Sequence, residues 1–251
     1  MKRSPCTQAA LAIALALMAT TASAQQPAPV PAVDPAAIKA LEGMSAYLRT
    51  LKTYYVEAAT ATDDVLADGQ TDQGTGKTII VVQMPNKLFA ETSSDRQSRT
   101  YVYDGKTFTL YARRAGYYAT VPAPATLREL ADVLSEKYDI EVPLADLFLW
   151  GAPGWGTGDI TAAVDLGPAE VGGTTCQHYA FRQEGVDWQI WIQKGDFPLP
   201  RKLVITSTDD EARPRHIAVY TWNLAPSVND AAFTFTPPKG ANKIVLATVG
   251  Q

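Results

Sequence analysis

The sequence predicts an α+β protein, mainly β, in which one curved antiparallel sheet of about eleven strands carries helices over its concave face. Three observations lead there. Val186–Thr206 reads as a β-hairpin: Trp188, Ile190 and Ile192 fall on one face and Gln189, Trp191 and Gln193 on the other. Gly195, Pro198 and Pro200 mark the reversal, and Leu203 and Ile205 alternate with Lys202 and Val204 on the way back. From Tyr54 to Thr120 the chain is a succession of short runs rich in Thr, Val, Tyr and Ile, broken by turn residues. Connections longer than a hairpin are few, so the strands belong to one sheet, and the helices are the elements able to cover its greasy side.

In chain order, Met1–Ala24 combines Lys2 and Arg3, an apolar stretch Ala9–Ala19 and the small-x-small triplet Ala22-Ser23-Ala24, which is a signal peptide with cleavage expected after Ala24. Its apolar stretch is short of the about 20 residues that span a bilayer, and no later segment is as long and uncharged, so no transmembrane segment is expected. Cys6 lies away from the cleavage site, so no lipid anchor is expected. Of 251 residues, removing 24 leaves 227, and losing Lys2 and Arg3 takes the formal charge from −4 to −6. A mildly acidic chain without a basic run excludes nucleic acid as a partner. Cys176 is then the one cysteine left, which rules out an internal disulfide and leaves stability to the core.

Residues 25–33 read as a Pro-rich flexible lead-in, and 34–251 as a single domain. Asp34-Pro35 is a helix start, and Ile38, Leu41, Met44, Ser45, Leu48 and Leu51 predict an amphipathic helix over Pro35–Lys52. Six meandering strands follow, with breaks near Gly69, Pro85, Asp95, Gly105 and Gly116. Asp104-Gly105 is the strongest hairpin signal, since both central residues of a type I′ turn favour positive φ. A helical interlude comes next, with Leu127, Leu130, Leu134 and Tyr138 in one stripe and Leu144, Leu147 and Phe148 in another. The glycine-rich stretch Trp150–Gly158 reads as a loop. Strands resume through Val164–Val171, Thr174–Gln183, the hairpin and His216–Asn223, and Phe233–Gly240 reads as one more short extended piece.

The familiar catalytic signatures are missing. Gly74-Thr75-Gly76-Lys77-Thr78 ends like a phosphate-binding loop, but the required earlier glycine is Thr71 and a strand follows where a helix should start. There is no nucleophile elbow, no His-Glu-x-x-His and no Cys-x-x-Cys, so neither an enzyme, a cofactor nor a metal site is expected. His178 and His216 are read as solvent-facing or hydrogen-bonded strand residues and Cys176 as a small apolar one. The acids Asp63-Asp64, Asp209-Asp210-Glu211, Glu184 and Asp187 are read as solvated turn charges.

The order of elements, together with Trp191-Ile192, Leu199-Pro200-Arg201-Lys202-Leu203 and Phe233–Gly240, resembles the outer-membrane lipoprotein carrier superfamily of LolA, LolB and RseB. Tyr103–Thr107, Tyr117–Pro122 and Asp187–Thr206 are similar to a group of predicted periplasmic proteins of unknown function placed in that superfamily, and this likeness covers nearly the whole mature chain. The resemblance implies an unclosed, LolA-like β-barrel with helices as a lid over an apolar cavity, a periplasmic location and no catalytic residue. Its implied ligand is lipid or the acyl chains of lipoproteins. The cavity-lining candidates are Leu127, Leu130, Leu134, Leu147 and Phe148 from the helices, with Tyr179, Phe181, Trp188, Ile190 and Ile192 from the strands. An envelope protein that engages the cradle, or the outer face through Trp191, is the alternative partner.

Overall fold

A computed structural model describes residues 32–150 and 157–249. The expected signal peptide, most of the Pro-rich lead-in and residues 151–156 of the glycine-rich stretch lie outside the described residues.

Helix α1 (Pro35–Leu48) starts where expected, with the Asp34 carboxylate accepting a 2.8 Å hydrogen bond from the Ala36 N–H. It buries Ala37, Leu41, Met44, Ser45 and Leu48. It ends at Leu48 rather than at Lys52. The Leu51 N–H bonds to the Leu48 carbonyl at 3.1 Å and the Thr50 hydroxyl to the Tyr47 carbonyl at 2.7 Å, tightening the last turn before the first strand.

Strands β1 (Thr53–Val65), β2 (Thr71–Gln83), β3 (Lys87–Ser94), β4 (Ser98–Tyr103), β5 (Thr107–Ala112) and β6 (Tyr117–Pro122) form the expected antiparallel meander. The β4–β5 turn departs from the expected pair of positive-φ residues. Gly105 alone is left-handed, at φ 91°, while the Asp104 carboxylate accepts from the Lys106 and Thr107 N–H groups at 2.8 and 2.7 Å. Helix α2 (Leu127–Tyr138) opens with a capping box between Thr126 and Glu129 and closes on Asp139, left-handed at φ 54°. Helix α3 (Asp146–Leu149) is a single turn. Strands β7 (Ala162–Val171), β8 (Thr174–Gln183), β9 (Val186–Gln193), β10 (Pro200–Ser207) and β11 (Arg215–Asn223) complete the main sheet.

All strands join one sheet in the order β12-β6-β5-β4-β3-β2-β1-β11-β10-β9-β8-β7, where β12 is Asn242–Lys243. Strand β11 closes back on β1, pairing Thr62 with His216 and Tyr55 with Asn223. The ends, β12 and β7, do not pair with each other, so the sheet is an open half-barrel. The expected extended piece at Phe233–Gly240 is not part of it: Phe233 sits in a 3₁₀ turn, and Phe235 packs on Tyr111 and Tyr118 with ring centroids 5.7 and 5.2 Å apart. Pro237 and Pro238 have no N–H to give a ladder, and pairing resumes after them, parallel to β6.

Inner-face side chains Tyr54, Val56, Ile80, Val82, Leu88 and Tyr103 form one core with Leu41 and Met44 of α1, Leu127, Leu130 and Leu134 of α2 and Leu147 of α3. Several acids expected to be simply solvated are paired instead. Asp187 bonds Arg182 at 2.6 Å and Arg213 at 3.0 Å, which holds its carboxyl below the usual carboxylate range, and Arg96 bridges Asp64 and Asp72.

Candidate functional site

Strands β1 and β2, each 13 residues long, change chemistry half-way along their inner face. Near α1 the paired inner residues are Val56 with Ile80 and Tyr54 with Val82, all buried. Towards the far end, at the same period of two, the pairs become Ala58 with Thr78, Thr60 with Gly76, Thr62 with Gly74 and Asp64 with Asp72. Strand β3 follows suit, passing from Leu88 and Ala90 to Thr92 and Ser94. The greasy half is filled by helices. The polar half is not.

What faces it instead is a cavity of about 1220 Å³ between the sheet and the α2–α3 segment. Its floor includes Tyr101, Leu203, Ile205 and Tyr220 of the sheet, and Ala131, Ile140, Leu144 and Leu149 of the lid. The two faces of α2 explain the arrangement: Leu127, Leu130 and Leu134 point into the core, while Asp132, Ser135, Glu136 and Asp139 lie one face round and line the cavity. The connection to α3 is irregular, with Leu144 left-handed at φ 55°, an uncommon conformation for a residue with a branched side chain.

Gly74 and Gly76 give the cavity room. The stretch Gly74–Thr78, which ends like a phosphate-binding loop, lies inside β2 and not at a helix N-terminus. A Cβ on Gly76 would meet the Ser93 carbonyl at 3.0 Å and the Thr60 hydroxyl at 3.1 Å, whereas on Gly74 it would meet only the Thr62 carbonyl, at 3.8 Å.

A titratable group of side chains lies at the inner wall. Asp146 lines the cavity, and burial pushes its carboxyl up to about 6, with the neighbouring charge of Glu141 acting in the same direction. The residue as a whole is half-buried. His216 Nδ1 lies 2.8 Å from Thr62 Oγ1, as a hydrogen-bonded strand histidine was expected to; burial lowers its pKa and the Glu141 charge opposes that. Burial also raises the Tyr220 hydroxyl, with the Asp146 charge adding to it.

The ten candidates from the sequence meet in one place, the packed core. Leu127, Leu130, Leu134, Leu147, Tyr179, Phe181, Ile190 and Ile192 are buried in the core cluster, and Phe148 and Trp188 pack against it half-buried. None of the ten lines this cavity. Phe181 and Trp188 stack at 4.2 Å, and the Trp188 indole N–H donates to Gln183 at 2.8 Å. On the outer face Trp191 stacks on His178 at 3.8 Å with Lys202 over its ring at 4.6 Å, so much of its surface is already engaged. His178 Nε2 lies 3.0 Å from the Gln189 side-chain oxygen, again a hydrogen-bonded histidine. What sequence reasoning missed is the acidic face of α2 with Glu141 and Asp146. Its trace is the spacing of Asp132, Glu136 and Asp139, which reads equally well as an ordinary solvated stripe.

The profile of a family described as predicted periplasmic protein (DUF2092) matches residues 37–247, most of the chain. The chain belongs to this family. The DUF2092 assignment agrees with the periplasmic group that Tyr103–Thr107, Tyr117–Pro122 and Asp187–Thr206 resemble. No curated protein matches the sequence. Among solved structures, this DUF2092 protein is similar to the Mycobacterium tuberculosis lipoprotein LppX, at 14% identity over 78% of this chain and 100% of that one, with a TM-score of 0.48. It is also similar to an uncharacterized conserved protein from Thermus thermophilus, at 12% identity over 84% of this chain and 99% of the other, with a TM-score of 0.47. A LolA superfamily protein from Nitrosomonas europaea matches at 13% identity over 79% and 97% of the two chains, with a TM-score of 0.32. No helix among the described residues is long and apolar enough to cross a membrane.

Proposed function

We propose that this protein is a soluble periplasmic binding protein that holds a lipid, or the acyl chain of a lipoprotein, between the half-barrel and its helical lid, without catalysing a reaction. The observation that carries this reading is the cavity itself: about 1220 Å³, above the about 300–1,000 Å³ of common small-molecule sites, with an apolar floor and a polar rim. An apolar tail laid along Leu149, Leu203 and Ile205 gains about 0.8 kcal/mol per methylene buried, and a polar head stays among the hydroxyls of Thr60, Thr62 and Ser94. In this reading Leu127, Leu130, Leu134, Leu147 and Phe148 fasten the lid to the core that Tyr179, Phe181, Trp188, Ile190 and Ile192 share, and the ligand lies beside that contact rather than in it. The capping box of α2 and the hydrogen bond from the Tyr103 hydroxyl to the Pro124 carbonyl, 2.6 Å, hold the lid's first turn.

The test is native mass spectrometry of protein purified from the periplasm without detergent, followed by solvent extraction and lipid analysis. A stoichiometric acyl lipid that is lost in Gly74→Phe and in Ser135→Trp, both still folded, is the expected result; each places a ring in the cavity from a position outside the packed core. A clean apo mass, with no uptake of added fatty acid, phospholipid or alkyl amine, overturns the reading.

A further inference from the structure

Strand register fixes what lies at the base of the cavity. Tyr220 of β11 pairs with Ala58 of β1, Ala58 with Thr78 of β2 and Thr78 with Thr92 of β3, so these side chains form one row across the inner face. Directly beneath it runs the packed row of Val56, Ile80 and Ala90, which continues to Tyr101 of β4. Thr78, Tyr101 and Tyr220 line the cavity although they are only 7%, 4% and 3% exposed. Among the described residues none of their three hydroxyls has a hydrogen-bond partner, and none is sealed inside the protein. Other buried hydroxyls of the sheet are paired: Tyr103 donates to the Pro124 carbonyl at 2.6 Å, and Thr109 meets the Thr120 hydroxyl at 2.9 Å. A buried hydroxyl without a partner is costly, and a ligand oxygen that accepts from it removes the cost.

Charged side chains of both signs stand at the exposed edge of the cavity, Arg96 and Arg99 on the sheet and Asp132, Glu136 and Asp139 on the lid. The base carries hydroxyls instead. The carboxyl whose charge reaches Tyr220 is that of Asp146, which is half-buried. We propose that the base of the cavity receives the uncharged oxygens of an acyl ester headed by glycerol or a sugar, and that the protein selects such neutral amphiphiles over ionised ones with the same tail. This rests on the lipid-binding reading above and narrows it. Thr78, Tyr101 and Tyr220 donate to the ester and hydroxyl oxygens, and the rest of the head lies along Thr60 and Thr92. A carboxylate in that place exchanges its water for neutral dipoles beside the Asp146 charge. An ammonium exchanges its water for hydroxyls and one half-buried carboxyl.

Titration calorimetry of the purified protein, at about pH 8 and below the micelle concentration of each probe, separates the outcomes. The probes share one tail: monododecanoylglycerol, sucrose monododecanoate, dodecanoate and dodecylammonium. The expected result is that one ester or both bind about tenfold or more tighter than either ionised probe, and the tighter ester tells a glycerol head from a sugar head. Tyr220→Phe and Thr78→Val keep the shape of each side chain and remove its hydroxyl. Each is expected to lower ester affinity about two- to tenfold and to leave the ionised probes within about twofold. Tyr117→Phe, which removes an exposed hydroxyl away from the cavity, is expected to leave every affinity unchanged. An ionised probe that binds as tightly as both esters overturns the headgroup inference and leaves the lipid reading standing. So does ester affinity that is unchanged in both variants, each shown folded by its thermal melt; the comparison of probes on the parent protein decides if a variant does not fold. Binding of none of the four overturns both readings.

Discussion

Two halves of one surface, the inner face of β1–β3, behave as different materials. Around Val56, Ile80, Val82 and Leu88 it is a dry core pressed on by α1 and α2; around Thr60, Thr62, Gly74, Gly76 and Ser94 it is one wall of a cavity. The strands run through without interruption and the alternation does not change phase. Only the residue types do. A half-barrel therefore does not need a separate domain to build a cavity: it extends its strands past the point where the apolar residues stop.

The largest expected effect sharpens that contrast. Ile80→Ala removes fully buried methyls and costs about 2–5 kcal/mol in urea unfolding, while Thr60→Ala, two pairs further along the same ladder, stays within about 0.5 kcal/mol. Equal costs at both positions would mean that the polar half is core as well.

Next comes Asp146→Asn. The folded carboxyl titrates at about 6, above the ordinary 3.8, so the native state holds its proton more tightly than the unfolded chain does. Stability contributed by the protonated form is present below the ordinary value and is lost as pH rises from about 4 to about 6. The asparagine variant lacks that loss and is more stable than the parent above pH 6, by up to about 3 kcal/mol. Thermal melts of both proteins from pH 4 to 8 check it; curves that stay parallel would place Asp146 in a solvated position.

Thr126→Ala removes the cap at the start of the lid and costs about 1 kcal/mol, read as faster amide exchange confined to α2. Smallest of all, Arg96→Ala breaks an exposed rim network and leaves the melting temperature unchanged within error, with any change confined to the salt dependence of ligand binding.

Much of the fold was legible from local chemistry. The strand runs, the turn residues between them, the Asp34 helix start and the leucine stripe of α2 lie within a few residues of where alternation, periodicity and capping preferences place them. The end of α1 was less so, because Thr50 and Leu51 continue the apolar spacing while their own hydrogen bonds close the turn. The tail was misread because Phe233-Thr234-Phe235 alternates like a strand but spends its aromatic ring on Tyr111 and Tyr118.

The candidate site was legible in kind but not in place. Apolar periodicity identified the residues that meet between sheet and helices, and they do meet, as packed core. It could not locate the cavity, since Ala59-Thr60-Ala61-Thr62 sets alanines on one face and threonines on the other, and the threonines are the ones that face inward. Hydrogen-bond register decides which of those residues face inward: Val56 against Ile80 sets the phase, and a period of two carries it to Thr60 against Gly76 and Thr62 against Gly74. In the same way, Asp132, Glu136 and Asp139 are a polar stripe in the sequence and part of the cavity's exposed edge in the molecule, on the face of α2 next to its buried leucines. Local composition was enough for the elements and their order. The cavity and its charge come from strand pairing and helix packing, which join residues far apart in the chain, and no local pattern records them.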